Sequence, residues 1–458
     1  MNINLPQQVI EIIKKLEDAG FEAYIVGGAV RDLLMGRVLY DWDLTTNATP
    51  EKILEIFGDE AFYDNKFGKV GIKNEDERPY EITTFRSEFG YSDSRRPDKI
   101  QWGKTLDEDL KRRDFTINAL ALRLVKSAHG ESHNNTDVEI IDLFGGQKDL
   151  EGKLIRAVGD PFERFSEDAL RMMRAVRIAS ELDFKIEEKT LFAINENAAL
   201  IHKISRERVR DELLKTLASA HPYEGIQIFR NSGLLAEVLP ELDKTFGIDQ
   251  KSPGRHHIYD VGTHCIMALK FCPSTDPIVR FATLIHDAGK AQTYKKLENG
   301  TITFYNHELV SARIAKNIAD RLRFSNEQKD KFWRLVRFHQ FTVNENQTDS
   351  AIRRFIRNVT PQFLTDMIDL RVGDRLGGGA SETSWRLEEF KIRLTEVQKQ
   401  PFSIRDLKVD GNDVMKVLGI KPGPKVGEIL EKIFSDVEEK KTENEKGKLL
   451  LLIEEYKN

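Results

Sequence analysis

The spacing of apolar positions changes period along the chain, and each change predicts an element. "MNINLPQQVIEIIKKLEDAG" carries apolar residues at helical spacing and predicts an amphipathic helix at the start. "EAYIVGG" reads as a strand, "AVRDLLMG" as a short helix, and "YDWDLTT" and "PYEITTFR" as two further strands. After "EIIDLFGGQKDLEGK" the texture shifts. From about Asp160 helical periodicity dominates, through "PFERFSEDALRMMRAVRIASEL" and "SRERVRDELLKTLASA". A third segment starts near "SPGRHHIYDVGTHC" and holds most of the histidines. "RVGDRLGGGASETS" is a Gly/Ser-rich break before a last helical segment with "LGIKPGPKVGEILEKI" and the charged "DVEEKKTENEKGK". No internal repeat is visible. The expected class is α+β: an N-terminal mixed-sheet head over residues 1–156, then helical parts at 157–245, 246–380 and 381–458.

Composition narrows the class further. With 458 residues, 40% hydrophobic and 32% charged, the chain reads as a globular protein with sizeable cores. A net charge of −5 argues against a uniformly basic nucleic-acid coat but leaves room for a local basic groove. Cys265 and Cys272 are the only cysteines and lack zinc-site spacing, which points to a reducing compartment. No apolar run approaches the roughly 20 residues that span a bilayer, and the first residues lack a signal-peptide core. A cytoplasmic location and no membrane partner are the expectation.

The densest chemistry lies in "GGAVRDLLMGRVLYDWDLTT", residues 27 to 46. Gly27 and Gly28 sit between a strand and a helix, where bare backbone and unpaired N–H groups can approach an anion. Arg31, one turn on, can add a charge-assisted contact to phosphate. Residues i and i+2 of a strand share a face, so Asp41 and Asp43 are expected to point together, with Trp42 and Leu44 pointing away. Two carboxylates on one face suit Mg²⁺, which takes a few carboxylates plus phosphate oxygens. Glu81 in "YEITTF" is a third candidate carboxylate on a neighbouring strand. A D-x-D alone is most often solvated charge on a hairpin; the G-G-x-x-R-D helix before it shifts the balance to a site.

G-G-x-x-R-D followed by D-x-D resembles the nucleotidyltransferase motif of the polymerase β superfamily. Further motifs, in order, are similar to those of the bacterial CCA-adding tRNA nucleotidyltransferases and their poly(A) polymerase relatives. "RRDFTINALAL" (residues 112 to 122) resembles the ribose-contacting motif, with Arg113 and Asp114 at the matching positions. "DPFERFSEDALRMMRAVR" resembles the stretch joining head to neck, and "SRERVRDEL" the last neck motif. The resemblance covers roughly the first half of the chain closely. It implies tRNA, CTP and ATP as partners, Mg²⁺ as cofactor, and pyrophosphate as leaving group.

It also assigns Asp168 and Arg171 to the incoming base, in a series with Arg174 and Arg177 at every third residue. As bare residues these four fit an exposed ion-pair ladder, each pair contributing little. The hydrogen-bond inventory agrees with base reading. Cytosine and adenine both offer an amino donor beside a ring-nitrogen acceptor, matching a carboxylate beside a guanidinium. Uracil and guanine reverse that order. Arg174 and Arg177 are then expected to reach towards the triphosphate. "SRRPDKIQWGKTLDEDLKRRD" resembles the family's flexible arm that helps the switch from C to A. "GIKPGPKVG" in the tail can dock a phosphate or simply connect helices.

In the histidine segment, His264, the adjacent His286 and Asp287, His307, His339 and Asp374 form a series. Together they resemble the HD phosphohydrolase superfamily. The resemblance gives His264, His286, Asp287 and Asp374 as metal ligands, with His307 and His339 as those of two-metal members, for Mn²⁺, Ni²⁺, Co²⁺ or Mg²⁺. His256 and His257 are not expected as ligands. The rival readings are a bacterial poly(A) polymerase, an HD-type phosphohydrolase with a regulatory head, and an inactive RNA-binding protein. No basic G-R-R-F-type signature of the poly(A) polymerases lies between the D-x-D and "RRDFTINA".

Overall fold

The computed structural model describes residues 2–39, 41–65, 69–74, 79–89, 99–103, 105–125, 136–250, 258–344, 346–398, 404–439 and 441–456. It divides into two compact units, Met1–Lys244 with Arg321–Phe324, and Thr245–Asp320 with Ser325–Asn458. The class is α+β, as expected. Residues 94–98 and 104 of the arm, and His256 and His257, lie outside the described residues. No helix is long and apolar enough to cross a membrane among the described residues.

The first unit is built on a mixed sheet of eight strands. Their order is Asn2–Ile3, Thr136–Asp142, Leu120–Leu124, Ala23–Val26, Asp43–Thr46, Tyr80–Thr84, Lys69–Ile72 and Ala61–Asn65. Of these pairings, only Asp43–Thr46 with Tyr80–Thr84 is parallel. Strand alternation sends Ala23 and Ile25 into one core with the amphipathic helices Gln7–Asp18 and Pro50–Phe57. Tyr24 and Val26 pack on the other face with Phe85, Leu106 and Leu110. Both sheet faces are therefore covered, which fixes the strand ends that carry the acidic residues.

Helices follow the sheet. Pro161–Glu167 and Leu170–Leu182 are separated at Asp168 and Ala169, and Arg206–Ala218 packs against the second of them. In the other unit, Val261–Phe271 crosses Leu364–Gly377 at very short range. A Cβ on Gly373 would lie 2.6 Å from the Ala268 carbonyl oxygen, and one on Gly377 would lie 2.5 Å from the Ala268 nitrogen. Two glycines four apart on one helix face thus permit the contact that brings Asp374 to His264. Beyond the Gly/Ser break, helix Trp385–Gln398 sets Phe390 against Phe341 and Phe355. A separate small core gathers Leu407, Val414, Ile433, Leu449 and Ile453 from the last helices.

Candidate active site and metal centre

The "VGG" turn shows why glycine stands there. Gly27 has φ 75°, and a Cβ on it would lie 2.9 Å from Arg113 Nη1 and 3.7 Å from Asp43 Oδ2. The bare backbone of Gly27 is thus flanked by a guanidinium and a carboxylate. Asp43 opens its strand and pairs in parallel register with Glu81, so both carboxylates project from one sheet face. Lys69, on the strand beyond, forms an ion pair with Glu81. Burial and the neighbouring Glu81 push the Asp43 carboxyl up, against the pull of Arg113 and Lys69. Trp42 and Leu44 pack into the core behind, as the alternation implies. The regular strand begins only at Asp43; Asp41 lies exposed in the irregular segment before it.

Arg31 donates from Nε and Nη2 to Asp32, at 2.9 and 2.8 Å, and from Nη1 to Asn118 Oδ1 at 2.8 Å. Asn118 in turn donates to Asp114 Oδ1 at 3.2 Å, which ties the glycine turn to the "RRDFTINA" motif. Arg113 donates to Asp109 Oδ2 at 3.0 Å and to the Asn118 carbonyl at 3.4 Å. Asp114 is buried and accepts from Arg174 at 2.8 and 2.7 Å. Burial alone would raise its carboxyl; Arg174, Arg171 and Asn118 instead hold it at about 2.

The series Asp168, Arg171, Arg174 and Arg177 divides. Asp168 lies between helices rather than on one, because its carboxylate accepts the Leu170 N–H at 3.0 Å and caps the next turn. Its other oxygen takes Arg208 at 2.8 Å. Arg171 donates to Glu167 at 3.0 Å and to the Arg112 carbonyl at 3.0 Å. Arg174 faces Asp114, whereas Arg177 faces Glu212 and Glu181 at 2.7 and 2.9 Å. Asp168, Arg171, Arg174, Arg113 and Asp114 therefore gather around the junction of head and first neck helix, and Arg177 turns into the neck. Sequence reasoning passed over Asp109, Glu167, Asn118 and Arg208. The acid one turn before "RRD" was the available signal for Asp109.

The second unit brings all six metal candidates to one buried point. His264 is on Val261–Phe271, and His286 with Asp287 follows Pro277–Ile285. His307 opens His307–Arg321, His339 closes Asn326–Phe338, and Asp374 lies on Leu364–Gly377. They form two sets, His264–His286–Asp374 and Asp287–His307–His339, with ligand atoms within 4.8 Å of one another in each. Asp287 joins them: Oδ2 is 3.4 and 3.3 Å from Nε2 of His264 and His286, and Oδ1 is 3.2 and 3.6 Å from Nε2 of His307 and His339.

Three of the histidines are oriented by backbone. Nδ1 of His286, His307 and His339 lies 2.6, 2.9 and 2.7 Å from the carbonyls of Thr283, Phe304 and Val336. An Nδ1–H donated there leaves the Nε2 lone pair aimed inward, which fits a divalent metal. Lys290 Nζ lies 2.6 Å from Asp287 Oδ2. Despite burial, Lys290 and His286 hold the Asp287 carboxyl well below the usual range. Burial disfavours a charged His286, yet Asp287 and Asp374 push it up to about 10.

Comparison with known proteins gives matches along most of the chain. Residues 23–156 match the Poly A polymerase head domain family, and residues 183–246 match the family described as Probable RNA and SrmB-binding site of polymerase A. Residues 302–453 match the tRNA nucleotidyltransferase domain 2 family. A CCA-adding enzyme of Limosilactobacillus reuteri is 33% identical over 445 residues, 97% of this chain and 95% of that protein. One from Lactobacillus helveticus is 50% identical over 231 residues, which cover 50% of this chain and 55% of that protein. Among solved structures, the Bacillus stearothermophilus CCA-adding enzyme in complex with CTP superposes with a TM-score of 0.70 at 28% identity. That match covers 98% of this chain and 97% of the other.

Proposed function

The chain belongs to the CCA-adding enzyme family, and from that premise we propose how its residues divide the work. It is a tRNA nucleotidyltransferase that adds or repairs the 3′-terminal CCA of tRNA from CTP and ATP, releasing pyrophosphate. The head, residues 1–156, carries the chemistry. Residues 157–245 read the base and hold RNA, 246–380 form the HD-like part, and 381–458 contact tRNA. A cytoplasmic location follows from the substrate.

The observation that carries this reading is the close approach of the Gly27 backbone, Asp43 and Arg113 beside Glu81. Heads of this family use a divalent metal such as Mg²⁺, and the Asp43 carboxyl, pushed up by burial and by the neighbouring Glu81, fits a site for a cation. Asp41, Asp43 and Glu81 hold it. A cation held there would supply charge that lowers the pKa of the tRNA 3′-hydroxyl and offsets the negative charge of the departing pyrophosphate. Gly27, Gly28 and Arg31 cradle the triphosphate, Arg31 exchanging its Asp32 partner for phosphate. Arg113 and Asp114 contact the ribose, and Asp168 and Arg171 meet the amino group and ring nitrogen of cytosine or adenine. Arg174 orients Asp114, and Arg177 braces the neck. The test is incubation with tRNA ending at the discriminator base and single labelled triphosphates.

A second activity rests on the six converging donors. His264, His286, Asp287 and Asp374, with His307 and His339, hold one or two ions such as Mn²⁺, Ni²⁺, Co²⁺ or Mg²⁺ for hydrolysis of phosphate esters. Asp287 bridges the two sets. Hydrolysis of phosphomonoesters and 2′,3′-cyclic phosphates with each metal, in the wild type and in H286A/D287A, tests it.

A further inference from the structure

Asp109 is fully buried, yet no role in substrate contact falls to it: its carboxylate is spent on two arginines. Oδ1 accepts from Arg112 Nε at 3.0 Å and Nη2 at 2.5 Å, and Oδ2 accepts from Arg113 Nη2 at 3.0 Å. Burying a carboxylate is costly unless it is paired, and a carboxylate placed only for stability could be replaced by an apolar side chain of like volume. The apolar anchors of its short helix, Leu106 and Leu110, already fasten it to the sheet beside Phe85 and Tyr24.

What Asp109 adds is direction. Arg113 has one face on Asp109, and its Nη1, which donates to the Asn118 carbonyl at 3.4 Å, lies beside the Gly27 backbone, with the guanidinium close enough to Asp43 to pull its carboxyl down. Arg112 is held on the other oxygen, and the carbonyl of that same residue receives Arg171 Nη2 at 3.0 Å. One buried carboxylate thus sits behind the guanidinium at the glycine turn and behind the turn that holds the base-reading arginine.

We propose that Asp109 is a positioning residue for nucleotide binding, which fixes Arg113 at the glycine turn and, through Arg112, the support of Arg171. This rests on the roles given above to Arg113 and Arg171. Its carboxyl stays ionised because, against the cost of burial, Arg112 and Arg113 hold it below the usual range.

The test is a double-mutant cycle on steady-state CCA addition by the full chain, with D109N, R113A and the pair. D109N keeps the shape and removes the charge. It is expected to raise KM for both CTP and ATP about tenfold, with kcat changed by less than about threefold and tRNA affinity unchanged. In the pair, D109N is expected to raise KM by less than it does in the wild type, the remainder being the part that reaches Arg171 through Arg112. D109E, which keeps the charge but displaces both guanidinium groups, is expected to raise KM as well and serves if D109N does not fold. Wild-type KM in either Asp109 variant, or full additivity in the pair, overturns the proposal. Wild-type KM in R113A overturns the reading of Arg113 itself, and this inference with it.

Discussion

Arg174 donates from Nε and Nη2 to the same oxygen of Asp114, at 2.8 and 2.7 Å, and so ties helix Leu170–Leu182 to the "RRDFTINA" motif of the head. Asp114 is held at about 2, below its ordinary 3.8, and it is buried. A carboxyl with a depressed folded-state pKa stabilises the fold above its unfolded pKa, and that gain is lost as pH falls through the folded value. The contribution is about 2 kcal/mol at neutral pH. D114N is therefore expected to unfold at lower denaturant at pH 7, with the gap to wild type narrowing below about pH 4. Equilibrium unfolding from pH 7 to pH 3 measures this, and a gap independent of pH contradicts it.

Asp43 has the opposite sign. Its pKa is raised, so at pH 7 its charge beside Glu81 opposes folding, and the penalty disappears at acid pH as the carboxyl protonates. D43N is expected to raise Tm without added metal while reducing nucleotide addition by on the order of a thousandfold, as loss of a charge-stabilising group does. Thermal melts with and without Mg²⁺ check the first part, and single-turnover addition checks the second. A D43N protein that is less stable than wild type at pH 7 contradicts the account of the pair.

Base choice is tested at Arg171 and Asp168. R171A is expected to weaken CTP and ATP use alike, by about tenfold to a hundredfold, the effect of losing one charged hydrogen bond at about 1.5–3 kcal/mol. D168A removes the acceptor that repels the O4 of uracil, and is expected to relax rejection of UTP. It also releases Arg208, so addition rates for all four triphosphates are needed. Unchanged discrimination in both variants returns these residues to structural pairing.

The metal centre is tested by linkage. An ion that binds only the folded site stabilises it with a dependence on metal concentration. Mn²⁺ is expected to raise the Tm of wild type and not that of H286A/D287A, while CCA addition survives in the double variant. Equal metal-induced shifts in both proteins contradict the ligand set.

Much of this is legible in the sequence, for a physical reason. The glycine turn and Asp43 follow from strand and helix period, whereas "RRDFTINA" and the six HD-like residues are marked by their resemblance to known families. A shared face for the D-x-D pair needs a strand running through both aspartates, but the ladder begins at Asp43 and leaves Asp41 in irregular chain. Spacing by threes put Asp168 on a helix, whereas its carboxylate caps the helix that follows. Pairings that span sixty residues, such as Arg174 with Asp114, carry no periodic signature. Nor does the sequence show that Asp287 lies within 3.6 Å of histidines from both groups, which depends on five separate helices converging.

The most direct measurement is addition to tRNA that ends at the discriminator base. With CTP alone the product is expected to stop after two residues, and ATP then adds a single A; UTP and GTP add nothing, and D43A adds nothing with any triphosphate. Long A-tails from ATP alone, or wild-type addition by D43A, contradict the account.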